Sequence, residues 1–181
     1  MSRRRKSSPP ARSLLEVGPL PFADVLARLD RWMYRHRRRM RLALRPGLDA
    51  GALADLNCRR AISDELATLL AWHDGQSPEF RGTFADNWCL LSGAEILLLA
   101  ADLDADPPPS WVSGWLPVAR DASDSFLVVD PVTVRAVWSG KDEPTVVAVS
   151  LTAWVTGLLT EFEAGLYVED EERGDYLKRE Q

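Results

Sequence analysis

Between Leu116 and Val149 four short apolar runs follow one another with links too short to hold a helix, and this spacing constrains the chain more than any other feature. The runs are Leu116 to Ala119, Ser125-Phe-Leu-Val-Val-Asp130, Val134 to Ser139 and Thr145 to Val149. Parallel neighbours need a crossover of about a dozen residues, whereas antiparallel neighbours need about two to five. The links Arg120 to Asp124, Asp130 to Thr133 and Ser139 to Pro144 therefore favour neighbouring antiparallel strands. A further strand is expected from Thr83 to Leu91, with Phe84 and Trp88 in the alternating pattern. The result is a mostly antiparallel sheet of about five or six strands with one apolar face, which needs a cover.

Helix signals supply that cover. Ser150 caps a run in which Leu151, Trp154, Val155, Leu158, Leu159 and Phe162 form one apolar stripe, ending near Gly165. Ser92-Gly-Ala-Glu95 is a capping box ahead of Ile96-Leu-Leu-Leu99. Ser63 begins a helix with Leu66, Leu69, Leu70 and His73 on one face, which Gly75 is placed to end. Leu44 to Asp49 reads as a turn, with Asp49 capping a helix through Leu56. Phe22, Val25, Leu26, Leu29, Trp32, Met33, His36 and Met40 predict one long amphipathic helix to about Arg41. Helices first, then a meandering sheet, then a C-terminal helix packed on it make an α+β domain.

The length of 181 residues suits one domain with a complete core. Residues 1–19, rich in Arg, Ser and Pro, are expected to be a disordered basic leader; residues 20–168 form the domain, and 169–181 a solvated acidic tail. Residues 1–45 hold 13 Lys or Arg against 3 Asp or Glu, so the remaining 136 hold 9 against 24. An acidic body of this kind repels nucleic acid and steers basic partners towards itself. The cluster Arg35-His-Arg-Arg-Arg39 is the one patch suited to phosphate, and it lacks interleaved stacking aromatics. No run is long and apolar enough for a signal peptide or a membrane span, which points to the cytoplasm. Cys58 and Cys89, far apart, read as two buried thiols in a reducing compartment.

Catalytic groups with positioned partners are scarce. His36 sits among arginines, and the His73-Asp74 dipeptide is no dyad by itself, because adjacent helical residues diverge. The corner Trp72, His73, Asp74, Gly75 is either a structural hinge or the rim of a site, with His73 expected to satisfy a backbone carbonyl or Asp74. Asp102, Asp104 and Asp106 match the opening of a calcium loop, but Pro107 to Pro109 and the missing glycine and distal glutamate break that motif. A solvated acidic loop is the simpler description. Carboxylates at strand ends, Asp86, Asp121, Asp124 and Asp130, leave a metal-dependent phosphodiester hydrolase as one alternative. No phosphate-binding glycine loop, metal-ligand spacing or cofactor motif occurs. Trp88, Trp111, Trp115 and Trp138 beside acidic segments read either as core or as aromatic anchors for a basic protein surface.

The order of features resembles the SUKH superfamily, which includes fungal cell-wall-synthesis regulators and many bacterial immunity proteins. The resemblance is carried by Leu44-Arg-Pro-Gly47, Trp72-His-Asp-Gly-Gln76, the Leu91-Ser92 helix start, Trp115-Leu-Pro-Val-Ala119, Phe126-Leu-Val-Val-Asp130 and Val147-Ala-Val-Ser150, within residues 22–168. It departs from the family pattern at Ile62-Ser63, where Leu-Pro is usual, and at Asp121-Ala-Ser-Asp-Ser125, where a glycine-rich turn is usual. The resemblance implies a non-enzymatic protein that binds another protein, most often a cognate toxin; a regulatory or scaffold role is the alternative within the same fold. The expected docking surface is an acidic groove of Trp88, Asp102, Asp104, Asp106, Trp111, Trp115, Asp121 and Asp124.

Overall fold

The computed structural model describes residues 20–130, 132–170 and 174–179; the expected leader lies outside them. In chain order the helices are α1 (Phe22–His36), α2 (Arg38–Ala43), α3 (Ala50–Arg59), α4 (Asp64–Trp72), α5 (Gly93–Ala105) and α6 (Leu151–Glu163). The strands are β1 (Leu44–Pro46), β2 (His73–Gln76), β3 (Cys89–Leu90), β4 (Leu116–Arg120), β5 (Phe126–Asp130), β6 (Thr133–Val137), β7 (Thr145–Ala148), β8 (Tyr167–Glu169) and β9 (Tyr176–Lys178). The fold is α+β. A five-stranded antiparallel meander, β3-β4-β5-β6-β7, carries α6 on β6 and β7.

Local chemistry places the helix starts where the sequence predicts them. Asp49, Ser63, Ser92 and Ser150 each accept a backbone N–H of the first turn, and Ser92 with Glu95 forms the full capping box. Every residue of the α6 stripe is buried. Glu65 on α4 adds a tertiary cap, its carboxylate accepting from Leu151 N at 2.9 Å and Thr152 Oγ1 at 2.6 Å.

The sheet is covered on both faces, where one apolar face was expected. Leu127 and Val129 of β5 join the main core with α1, α4 and α6, while Phe126 and Val128 join a second cluster with Trp111, Trp115 and Val137, backed by Leu99 and Leu103 of α5. Alternation on β5 therefore distributes an unbroken apolar run between two cores.

Further sequence expectations change. The long first helix breaks at Arg37 (φ −140°, ψ 55°), a residue 2% exposed between buried Met33 and Met40. Thr83 to Leu91 is mostly loop, with strand only at Cys89–Leu90 and isolated bridges joining Ala85 to Trp88 and Asp86 to Tyr176. The α4 helix ends at Trp72, so His73 and Gly75 belong to β2, which pairs with β1 inside the segment predicted as a turn. The supposed acidic tail holds the β8–β9 hairpin, whose Tyr167 and Tyr176 are buried against Phe162. Burial of those two rings is what fixes the hairpin on α6. Of the two thiols, Cys58 is exposed; Cys89 is half-buried, and burial pushes its thiol up.

Candidate docking surface

The corner after α4 is a structural junction. His73 Nδ1 donates to the Arg45 carbonyl at 2.7 Å, and Nε2 lies 3.6 Å from Asp30 Oδ1, joining β1 to α1. Asp74 Oδ1 accepts from Gly93 N at 2.7 Å, a carboxylate set at the positive end of α5. Gln76 Nε2 donates to Gly82 O at 2.6 Å. Glu95, next along α5, has its carboxyl held below the usual range: burial raises it, but the Ser92 hydroxyl and amide and the Arg45 guanidinium outweigh that.

The acidic segment of residues 102–106 is not the solvated loop expected. Asp102 and Asp104 extend the last turns of α5, and Asp106 is the residue that ends it. Asp104 Oδ1 accepts from Trp111 Nε1 at 2.8 Å, and Oδ2 pairs with Arg60 Nη1 at 2.7 Å. Arg60 also donates to the Trp115 carbonyl at 3.2 Å. Trp111 and Trp115, ring centroids 5.9 Å apart and nearly perpendicular, are buried in the second core. The Trp111 N–H first, then Arg60, holds the Asp104 carboxyl below its usual range.

That shift has a signed consequence. A depressed carboxylate contributes stability above its unfolded value, about 3.9, and loses it as pH falls through the folded value. Asp104→Asn is expected to lower the melting temperature by about 2–4 °C at pH 7, from about 1 kcal/mol for a partly buried pair. The gap between the two proteins should close below about pH 4. A gap that stays constant from pH 7 to pH 3 would show that ionisation of Asp104 is immaterial.

The candidate surface lies at the end of the sheet where β4 turns into β5. Asp121 Oδ1 accepts from Ser123 N at 2.7 Å and Ser125 N at 2.9 Å, and Asp124 takes a positive φ of 57°. Ser125 Oγ accepts from Ser139 N at 3.2 Å, which brings the β6–β7 turn beside it. Between these turns and residues 106–110 opens a cleft of about 550 Å³, with Leu103, Phe126 and Val137 in its walls. Asp106, Asp124 and Asp142 line it against one cation, Lys141. A second cleft, of about 350 Å³, adjoins it and includes Asp121, Asp124 and Arg120. Asp124 borders both.

The expected site residues therefore divide. Asp106 lines the first cleft, Asp121 the second and Asp124 both; Asp102 is exposed but lies outside both linings. Trp88, Trp111 and Trp115 are each 7% exposed and serve the cores, so they are not available as aromatic anchors. Asp104 is held internally by Trp111 and Arg60. Asp142, Lys141 and Trp138 were missing from the expected groove; the signal available in sequence was a tryptophan beside a charged β-turn.

Asp86 and Asp130, two of the four carboxylates of the hydrolase alternative, are each taken up by a separate partner. Asp86 accepts from Tyr167 OH at 3.0 Å and its carboxyl is raised by burial, while Asp130 pairs with Arg135 at 2.7 Å at the far end of β5. Among the described residues no group of three or more His, Cys, Asp and Glu is placed to hold a metal ion. No described helix is long and apolar enough to cross a membrane. The expected basic patch is reduced: Arg37 is buried, while Arg35, Arg38 and Arg39 remain exposed.

No protein-family model matches the chain, and no curated protein matches it.

Proposed function

We propose that the chain is a non-enzymatic protein-binding domain that docks a basic partner on the acidic end of its sheet. In the bacterial setting implied by the SUKH resemblance, that partner is a toxin domain neutralised by occlusion. The observation that carries the reading is the shared position of Asp124, which joins two clefts into one surface rimmed by carboxylates and floored by apolar side chains. Apolar contact supplies affinity in such interfaces, while complementary charge supplies orientation and rate.

The test is co-purification with the protein encoded by the neighbouring gene, followed by charge reversal. Asp106→Lys, Asp124→Lys and Asp142→Lys together are expected to weaken binding at least about a hundredfold and to slow association most at low salt. All three residues are exposed, and a lysine at position 124, where φ is +57°, adds only about 1 kcal/mol of backbone strain, so the variant should fold. Tight binding that survives the triple reversal would refute this surface.

A further inference from the structure

Lys141 lies in the first cleft with its ammonium 5.2 Å from the centroid of the Trp138 ring. This is cation–π distance, and indole is the side-chain ring that holds a cation best. Trp138 is half-buried and backed by Trp88, whose centroid is 5.5 Å away, so the ring is braced. Lys141 is exposed, and its backbone N–H closes a turn onto the Trp138 carbonyl at 3.1 Å. Both residues share the cleft lining with Asp106, Asp124 and Asp142.

We infer that the face of Trp138 is the seat for an arginine or lysine side chain of the docked partner, and that Lys141 is a resident cation displaced on docking. The inference rests on the docking reading above. Charge and shape point the same way. The carboxylates around the cleft outnumber its one cation, so an incoming guanidinium meets net negative charge, while the ring and the Phe126 and Val137 side chains accommodate an aliphatic stem. A planar guanidinium stacks on indole more favourably than an ammonium does, so arginine is the better occupant. Trp138 is then the specificity-determining residue of the surface.

The probe is a hexa-arginine peptide, with hexa-lysine for comparison, titrated against the full chain by calorimetry. Trp138→Leu is expected to weaken hexa-arginine binding about tenfold and Trp138→Phe about threefold, following the ring order. Lys141→Ala removes the competitor and should tighten binding, and by more than Arg120→Ala, which removes the same charge from the adjoining cleft. Hexa-arginine should bind more tightly than hexa-lysine to the wild-type chain.

Equal affinity of Trp138→Phe and wild type overturns the inference, as does equal tightening by Lys141→Ala and Arg120→Ala, which would reduce Lys141 to bulk charge. If Trp138→Leu melts early, Lys141→Ala decides, because it alters an exposed side chain alone. The triple aspartate reversal separates the two levels. Peptide binding that survives it defeats the docking reading and this inference together; binding lost in the reversal but unchanged in the Trp138 variants defeats this inference alone.

Discussion

Gly75→Ala is expected to destabilise the fold by about 4 kcal/mol or more, a large share of the stability of an ordinary domain. Two effects combine. Gly75 has a φ of +70°, a region that costs an alanine about 1–2 kcal/mol. Its added Cβ would also lie 2.4 Å from Ser92 N and 2.5 Å from Leu91 C. Those atoms are backbone at the start of α5, where Ser92 and Glu95 close the capping box and Asp74 holds Gly93 N. Relief would require β2 to withdraw and break that set of bonds together. Gly140→Ala separates the two effects, because Gly140 has a φ of +74° but no atom within 4 Å of an added Cβ. It should cost about 1 kcal/mol. Urea unfolding of both variants checks this; equal losses would show that close packing at Gly75 contributes nothing.

The contrast between the meander and the corner shows what the sequence could express. The strands from Leu116 to Val137 were legible because a strand covered on both faces must be apolar throughout, and short links fix its neighbours. The helix starts were legible because a cap is a bond within three or four residues. The β1–β2 ribbon was not: it joins Leu44 to Gln76 and Pro46 to His73 through an irregular register, and neither run is apolar. The β8–β9 hairpin was hidden because Glu169 to Glu172 dominates the local charge, while the informative residues were Tyr167 and Tyr176 on either side.

The docking surface was half legible for the same reason. Asp106 and Asp124 are exposed and Asp121 is half-buried, at a helix end and a strand-to-strand turn where charged residues usually lie. The role of Asp104 depends on Arg60, 44 positions away, and no local pattern carries that pairing. The tryptophans divide by depth. Trp88, Trp111 and Trp115 are buried in the two cores, while Trp138, just after β6, packs in part against the main core beside Trp88 and also lines the cleft.

Arg37→Met is the second large effect, and its direction depends on which of two opposing terms is greater. The buried guanidinium is penalised: desolvation, only partly offset by nearby Glu169, Tyr176 and Asp175, pushes its pKa down to about 10. At about 1.36 kcal/mol per unit this is a penalty of about 3 kcal/mol on the charged form, which a methionine would remove. Against it stand the bonds from Nη1 to Phe84 O at 2.7 Å and from Nη2 to Thr83 O at 3.1 Å and Gly174 O at 3.3 Å, with the guanidinium carbon 4.0 Å above the Tyr176 ring. Hydrogen bonds to a charged partner contribute about 1.5–3 kcal/mol each, and their loss leaves buried carbonyls without a donor. Three such bonds exceed the penalty, so Arg37→Met should cost about 3 kcal/mol net. The loss should be felt in three elements at once, because Arg37 links the α1–α2 break to the Thr83–Phe84 loop and the C-terminal hairpin. The sign with pH is fixed as well. A depressed base contributes stability above its unfolded value and loses it as pH falls through about 10, so between about pH 6 and 9 the charged form is constant and the difference should be flat. Denaturant unfolding at pH 6 and pH 9 checks both statements; an Arg37→Met protein as stable as the wild type would mean that desolvation, and not the carbonyl cage, dominates at this position.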